Sequence, residues 1–404
     1  MSIPKMRFYG YDSPWKVSKL GELFEIYSGN TPSRSDRNNY DNGTIPWIKT
    51  TDLNNSLIYV NEEKISDHGA KKLKTLPKNT ILIAMYGGFN QIGRTGLLTY
   101  PATINQALAS LLPVKEINSY FLLNYLNLRK DSWRNVAASS RKDPNITKND
   151  VEKFKISFPS LEEQSAISSL FRLLDDLLAS YKDNLANYQS LKASMLSKMF
   201  PKSGHTVPEI RLDGFEGEWD LIKLGDFCDL ITKGTTGKSQ SEQGMVNFVK
   251  VENLKDNEIY PIVKISEEEH FGSLKRSILY EGDILFSIAG TLGRTAIVKN
   301  NILPANTNQA LAIIRGYKLD AYFLLVVLSG EVVKDYIRKN PTVGAQPNLS
   351  LEQVSSLKIK IPSLDEQQAI GTYFSNLDNL INSHQEKIFQ LETLKKKLLQ
   401  DMFI

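Results

Sequence analysis

Few residues in this 404-residue chain stand at spacings that support covalent chemistry. Residues 234–239 read GTTGKS, the end of a phosphate-binding loop, but such a loop needs a glycine five positions before Gly237, where Thr232 stands. The first half of the chain has GNTPSRS instead, so a basic surface loop is the better reading. Asp143 opens DPNI, part of the Asp-Pro-Pro-aromatic pattern of amino-methyltransferases without the second proline or the aromatic, and the second half has QPNL there. The acid is not kept, so a turn or a helix cap is expected. His68, His205, His270 and His384 share no motif, no H-E-x-x-H occurs, and no G-x-G-x-x-G follows a strand. The single cysteine, Cys228, excludes a disulfide framework within one chain and zinc knuckles built from cysteine ligands.

The chemistry the chain does supply is that of nucleic-acid contact. Its polar, turn-rich loops carry Arg, Lys, Asn and Gln, which pair with base edges, and Ser and Thr, which bind phosphates. In the first half these loops are 29–43 with Ser33 and Arg34, 49–52 with Lys49, Thr50 and Thr51, 86–94 with Tyr86, Asn90, Gln91 and Arg94, and 134–142 with Arg141 and Lys142. In the second half they are 233–238 with Thr235 and Lys238, 250–253 with Lys250, 291–294 with Thr291 and Arg294, and 338–346 with Arg338, Lys339 and Gln346. For each residue a solvated loop side chain or turn former is the plainer alternative. Arg94 and Arg294 stand out because they are the same residue in matching loops after an expected strand; their alternative is a salt bridge inside each domain.

The elements that must position these loops occur twice. IPKMRFYGYDSPWKVSKLGEL at 3–23 returns as VPEIRLDGFEGEWDLIKLGDF at 207–227, and IPWIKTTDL at 45–53 as VNFVKVENL at 246–254. Gly93-Arg94-Thr95 returns as Gly293-Arg294-Thr295, NQALA at 105–109 as NQALA at 308–312, SYFLLNYL as AYFLLVVL, PSLEEQSAI at 159–167 as PSLDEQQAI at 362–370, and Met199-Phe200 as Met402-Phe403. Within each copy, short β-rich runs such as NTILIAMY (79–86) and GDILFSIA (282–289) lie between Gly, Asn and Asp clusters. Helical patches follow at 119–128 and 321–328, so each copy is expected to hold a mixed α/β (α+β) domain of about 155 residues.

A long amphipathic helix ends each copy. Phe171, Leu174, Leu177, Leu178, Tyr181, Leu185, Tyr188, Leu191, Met195 and Met199 keep a three-four spacing with no Pro or Gly, and Phe374, Leu377, Leu380, Ile381, His384, Ile388, Leu391, Leu394, Leu398 and Met402 repeat it. His384 falls on this stripe, so packing is expected of it. Ser160 and Ser363 can cap these helices, with Glu163 and Glu366 at a capping-box spacing. A helix of about 39 residues runs about 58 Å. It needs a partner of equal length, and the other helix is the nearest candidate, as an antiparallel coiled coil; two separate homodimer helices are the alternative. The expected boundaries are a domain at 1–158, a helix at 159–203, a second domain at 204–360 and a second helix at 361–404.

Composition agrees with a chain that meets a polyanion unevenly. With 41% hydrophobic and 23% charged residues, it is neither disordered nor collagen-like. The net charge of +4 is modest, yet residues 1–203 hold 27 basic against 19 acidic side chains and the remainder 22 against 26. No apolar run approaches the roughly 18 residues of a membrane span, and MSIPKMRFYGYDSPW has no signal-peptide core, so a cytoplasmic protein without membrane contact is expected. Two related domains joined by helices suit duplex DNA, where a pseudo-twofold arrangement would offer equivalent faces to two half-sites.

The duplicated layout, PxxRxxGFxxxW at 208–219, the Lys-Leu-Gly after it and the PSLxEQxxI start of each long helix resemble the specificity subunit of Type I restriction-modification systems. The resemblance spans essentially the whole chain. The first copy departs slightly, with Tyr11 for the Phe and no Gly before Trp15. It implies two target-recognition domains, each reading one half of a bipartite, asymmetric site in double-stranded DNA. It also implies helices that act as a ruler and as a platform for two methyltransferase subunits. Those partners would bring S-adenosylmethionine for adenine N6 methylation, restriction subunits would bring ATP and Mg, and this chain would be non-catalytic, with no cofactor or metal of its own. A stand-alone methyltransferase or nuclease and a coiled-coil scaffold without a DNA role are the competing readings.

Overall fold

Four-residue apolar runs bounded by turn formers become the central strands of two compact units, one formed by residues 1–181 with 387–404 and the other by 182–386. The computed structural model describes residues 3–88, 90–137, 145–237, 244–339 and 348–404. In the first unit a five-stranded sheet runs in the order Ile26–Ser28, Leu108–Leu111, Ile81–Ala84, Thr95–Leu98, Ser56–Ile58. Neighbours are antiparallel except the last pair, which is parallel. Ile81–Ala84 is buried along its whole length, as a strand flanked on both sides must be. A three-stranded sheet places Ile45–Ile48 between Lys64–Ile65 and Thr103–Ile104. The helix Ser119–Leu128, capped by the Asn118 carboxamide, is apolar nearly all round and buries residues 120–126.

The second unit repeats this plan with one change. Its larger sheet has four antiparallel strands, Cys228–Lys233, Leu311–Tyr317, Ile284–Ser287 and Thr295–Ile297, and its three-stranded sheet centres on Val246–Val249. The segment matching Ser56–Ile58 folds instead into a hairpin, Leu254–Lys255 with Glu258–Ile259. Asp256 and Asn257 form its turn at φ of 51° and 63°, the left-handed geometry that a two-residue hairpin loop requires.

In both units a two-stranded antiparallel ribbon leads into the long helix: Lys16–Lys19 with Lys155–Phe158, and Asp220–Lys223 with Lys358–Ile361. The helices run over Leu161–Lys198 and Leu364–Met402, and the end of each closes the unit begun by the other copy. Phe403 stacks on Phe121 with centroids 5.1 Å apart and meets Phe171 and Trp15 at 5.8 and 6.3 Å. Phe200 repeats this against Trp219, Phe323 and Phe374 at 5.8, 5.9 and 6.0 Å. Within the first unit the helices also meet through an Asp175–Lys395 ion pair. Within the second they meet through Lys192–Asp378 and the Tyr188–His384 ring contact, which gives His384 the packing role its place on the stripe implies. Both sets of contacts pair rising residue numbers with falling ones, so the helices are antiparallel.

The helix starts differ from the expected capping box. Ser160 and Ser363 do accept from the Glu163 and Glu366 amides, at 3.4 Å each. The two carboxylates, however, do not turn back to the caps. Glu163 is buried and accepts two hydrogen bonds from Arg7, from Nε and Nη2 at 2.7 Å each, while Glu366 accepts two from Arg211 at 2.8 and 2.7 Å. The following glutamines are buried too. Gln164 accepts from the Asn118 amide at 2.9 Å and donates to the Glu116 and Pro159 carbonyls, and Gln367 accepts from the Asp320 amide at 3.1 Å and donates to Pro362. The Arg of the opening motif and the Glu-Gln of the helix motif thus form one lock that fixes each domain to its helix.

Candidate nucleic-acid interface

The loops that carry the expected DNA contacts are held by the sheets behind them. Gly29 lies so close to the neighbouring strand that an added Cβ would sit 1.8 Å from the Ile104 carbonyl oxygen, and Gly234 repeats this against Asn308 and Thr307. The close approach lets the Asn30 amide donate to Ile104 and the Thr235 amide to Thr307, at 3.2 and 3.1 Å. In the first unit the loop is pinned further by Tyr40 to the Pro32 carbonyl (2.6 Å), Asn39 to Ser33 (3.0 Å) and Trp47 to Asn30 (3.2 Å).

On that frame the structure brings Arg34 and Lys49 together. Both pair with Glu63, Lys49 at 2.9 Å, and Arg34 lies over the Tyr40 ring with its guanidinium carbon 4.4 Å from the centroid. The Arg34 hydrogen bond, with help from Lys49, holds the Glu63 carboxyl below its usual range. Ser33 bonds Ser35 through their hydroxyls at 2.8 Å. Thr50 and Thr51 occupy a turn that Asp52 closes on the Lys49 amide at 2.7 Å, and Asn253 does the same for the Lys250 amide at 2.8 Å.

The described residues of the 86–94 segment form a separate tight turn. Gly93 at φ +74° passes against Trp133, Tyr86 and Asn90 are exposed, and the Gln91 side-chain oxygen is buried with no hydrogen-bond partner among the described residues. No hydrogen bond or ion pair among the described residues links Tyr86, Asn90 or Arg94 to the Arg34–Lys49 group. Arg294 makes no salt bridge among the described residues; it donates through Nη1 to the Val251 and Leu254 carbonyls at 3.2 and 3.3 Å, tying the 291–294 loop to the 250–253 turn. Thr291 is exposed, and its carbonyl accepts from Ser287 at 2.6 Å.

Two segments read as loops are partly helical. Arg338 and Lys339 end the helix Glu331–Lys339, where Arg338 pairs with Glu331 and Asp335 at 2.8 and 2.7 Å, and Arg134 lies in the short helix Trp133–Val136. Arg141, Lys142, Lys238 and Gln346, together with Asp143, lie outside the described residues.

Burial, aided by Asp229, pushes the Cys228 thiol up to about 11, away from thiolate chemistry. Among the described residues, no three His, Cys, Asp or Glu side chains group as metal ligands, and no helix is long and apolar enough to cross a membrane.

One feature of both units escaped the sequence reading. Each NQA turn presents an exposed glutamine, Gln106 or Gln309, whose side-chain oxygen accepts from Thr31 or Thr236. The exact return of NQALA was the available signal.

Residues 12–187 and 216–393 match the family described as the Type I restriction modification DNA specificity domain. Among curated proteins, the MjaVIII and MjaIX Type I restriction enzyme specificity subunits of Methanocaldococcus jannaschii are 24% and 25% identical, each over 95% of this chain and 91% of their own length. The crystal structure of a Type I restriction-modification S subunit from M. genitalium superposes with a TM-score of 0.67 at 18% identity, covering 100% of this chain and 99% of that one, and shows the same fold. With two tandem copies of the domain, each closed by a long helix, this chain belongs to the Type I restriction modification DNA specificity family.

Proposed function

We propose that the chain is the non-catalytic subunit that gives a Type I restriction-modification assembly its DNA sequence specificity. Each unit reads one half of a bipartite, asymmetric site. The paired helices set the spacer between the halves and dock two methyltransferase subunits. Those partners bind S-adenosylmethionine, flip the target base out of the stack and methylate adenine N6; restriction subunits that use ATP and Mg join the same cytoplasmic assembly. The base and phosphate contacts come from Ser33, Arg34, Lys49 to Thr51, Tyr86, Asn90, Gln91 and Arg94 in the first unit. In the second they come from Thr235, Lys250, Thr291, Arg294, Arg338 and Lys339, with Arg141, Lys142, Lys238 and Gln346 in the intervening segments.

One observation carries this reading. The scaffold is built twice with the same locks, Arg7–Glu163 and Arg211–Glu366, while the loops it presents differ in sequence and, after Leu53 and Leu254, in conformation. A repeated scaffold with unlike loops is what reading two unlike half-sites demands. Exchanging residues 1–158 for the corresponding domain of a differently specific relative, with Arg7, Trp15 and Phe121 retained, changes one half of the methylated motif. An unchanged motif, or a change in both halves, refutes the assignment.

A further inference from the structure

The NQA turn of each unit is fully explained by packing except for its glutamine. Asn105 and Asn308 close the turns, their side-chain oxygens accepting from the Ala107 and Ala310 amides at 3.1 and 3.2 Å. That leaves Gln106 and Gln309 exposed at the corners. Neither side chain is loose, because Thr31 and Thr236 donate to their Oε1 atoms. With Oε1 engaged, each Nε2 keeps two N–H donors and has no partner among the described residues. The threonines come from loops that otherwise differ, Pro32-Ser33-Arg34 following one and Gly237 the other, yet the pair is the same in both units.

A group that is identical in two readers of different half-sites cannot select a base that differs between them. Apart from the adenine that is flipped out and methylated, what both half-sites share is the phosphodiester backbone, and contacts to it fix register without carrying sequence. We infer that Gln106 and Gln309 are sequence-independent phosphate contacts, one per unit, in which a threonine-oriented Nε2 donates to a backbone oxygen of the DNA. This rests on the DNA-reading role proposed above.

The test measures binding of the full-length chain to a duplex carrying its methylated motif and to an unrelated duplex, over a range of salt. Gln106→Ala and Gln309→Ala should each weaken both duplexes by the same factor, about fivefold for one lost hydrogen bond. The slope of log affinity against log salt should not change, because a neutral amide displaces no counterion. Gln106→Glu keeps the acceptor that Thr31 needs and should bind still more weakly than the alanine variant, by repulsion. The methylated motif should be unaltered in all of them. Loss confined to the motif duplex with one base position relaxed would mean base reading, and overturns the inference. So does unchanged affinity, or a Gln106→Glu chain that binds like the unsubstituted one while Gln106→Ala merely melts earlier. Failure of the unsubstituted chain to bind either duplex would instead count against the DNA-reading role itself.

Discussion

Glu163→Ala is expected to destabilise the first unit by about 3–5 kcal/mol, the usual penalty for removing one partner of a buried ion pair. The loss arises from what stays behind. Arg7 keeps 12% side-chain exposure, and with Glu163 gone its guanidinium retains, among the described residues, only the hydrogen bond to the Ser13 carbonyl at 2.6 Å. Glu366→Ala should do the same to the second unit through Arg211. Unit-resolved hydrogen exchange distinguishes the two, since each substitution lowers protection in its own unit first. Replacing both partners, Arg7→Met with Glu163→Leu, should recover most of the loss because no charge is then buried alone. Full stability in the Glu163→Ala chain would show that the pair does not lock the domain to its helix.

Phe403→Ala is expected to cost the first unit about 3–5 kcal/mol, although residue 403 is remote in sequence from the domain it fills. Its ring is 5% exposed and lies among Trp15, Phe121 and Phe171. Truncation leaves a cavity lined by large rings that cannot collapse onto one another. Phe200→Ala should act in the same direction on the second unit by a smaller amount, since Phe200 is only half-buried. Melting followed by hydrogen exchange should show Phe403→Ala opening residues of the first unit while strands such as Ile284–Ser287 stay protected. Opening confined to residues next to 403 in sequence would contradict the closure of each unit by the other copy's helix.

These locks explain why some of the architecture was legible in the sequence and some was not. The duplication and both long helices could be read directly, because repetition and the three-four apolar stripe are local signals. The purpose of the Glu-Gln pair could not, since Glu163 meets Arg7 across 156 residues, and local spacing offered the capping box as a nearer partner. The parallel pairing of Ile45–Ile48 with Thr103–Ile104 was hidden for the same reason. Arg338 and Lys339 read as loop because they open a polar, turn-rich run, although they end the helix formed by residues 331–339. The apolar Val332, Val333, Tyr336 and Ile337 of that helix keep a helical period, and Val333 is buried against the core. Among the candidate contacts, Arg94 and Arg294 looked equivalent, but the carbonyls that hold Arg294 lie about 40 residues away in sequence and left no local trace.

The most direct measurement is long-read sequencing of host DNA with detection of modified adenine, comparing cells with this gene intact and deleted. The account predicts that deletion abolishes methylation at one asymmetric motif made of two separated parts and leaves other methylation unchanged. Identical methylation in the two strains, in cells where the chain and its methyltransferase partners are expressed, would contradict it.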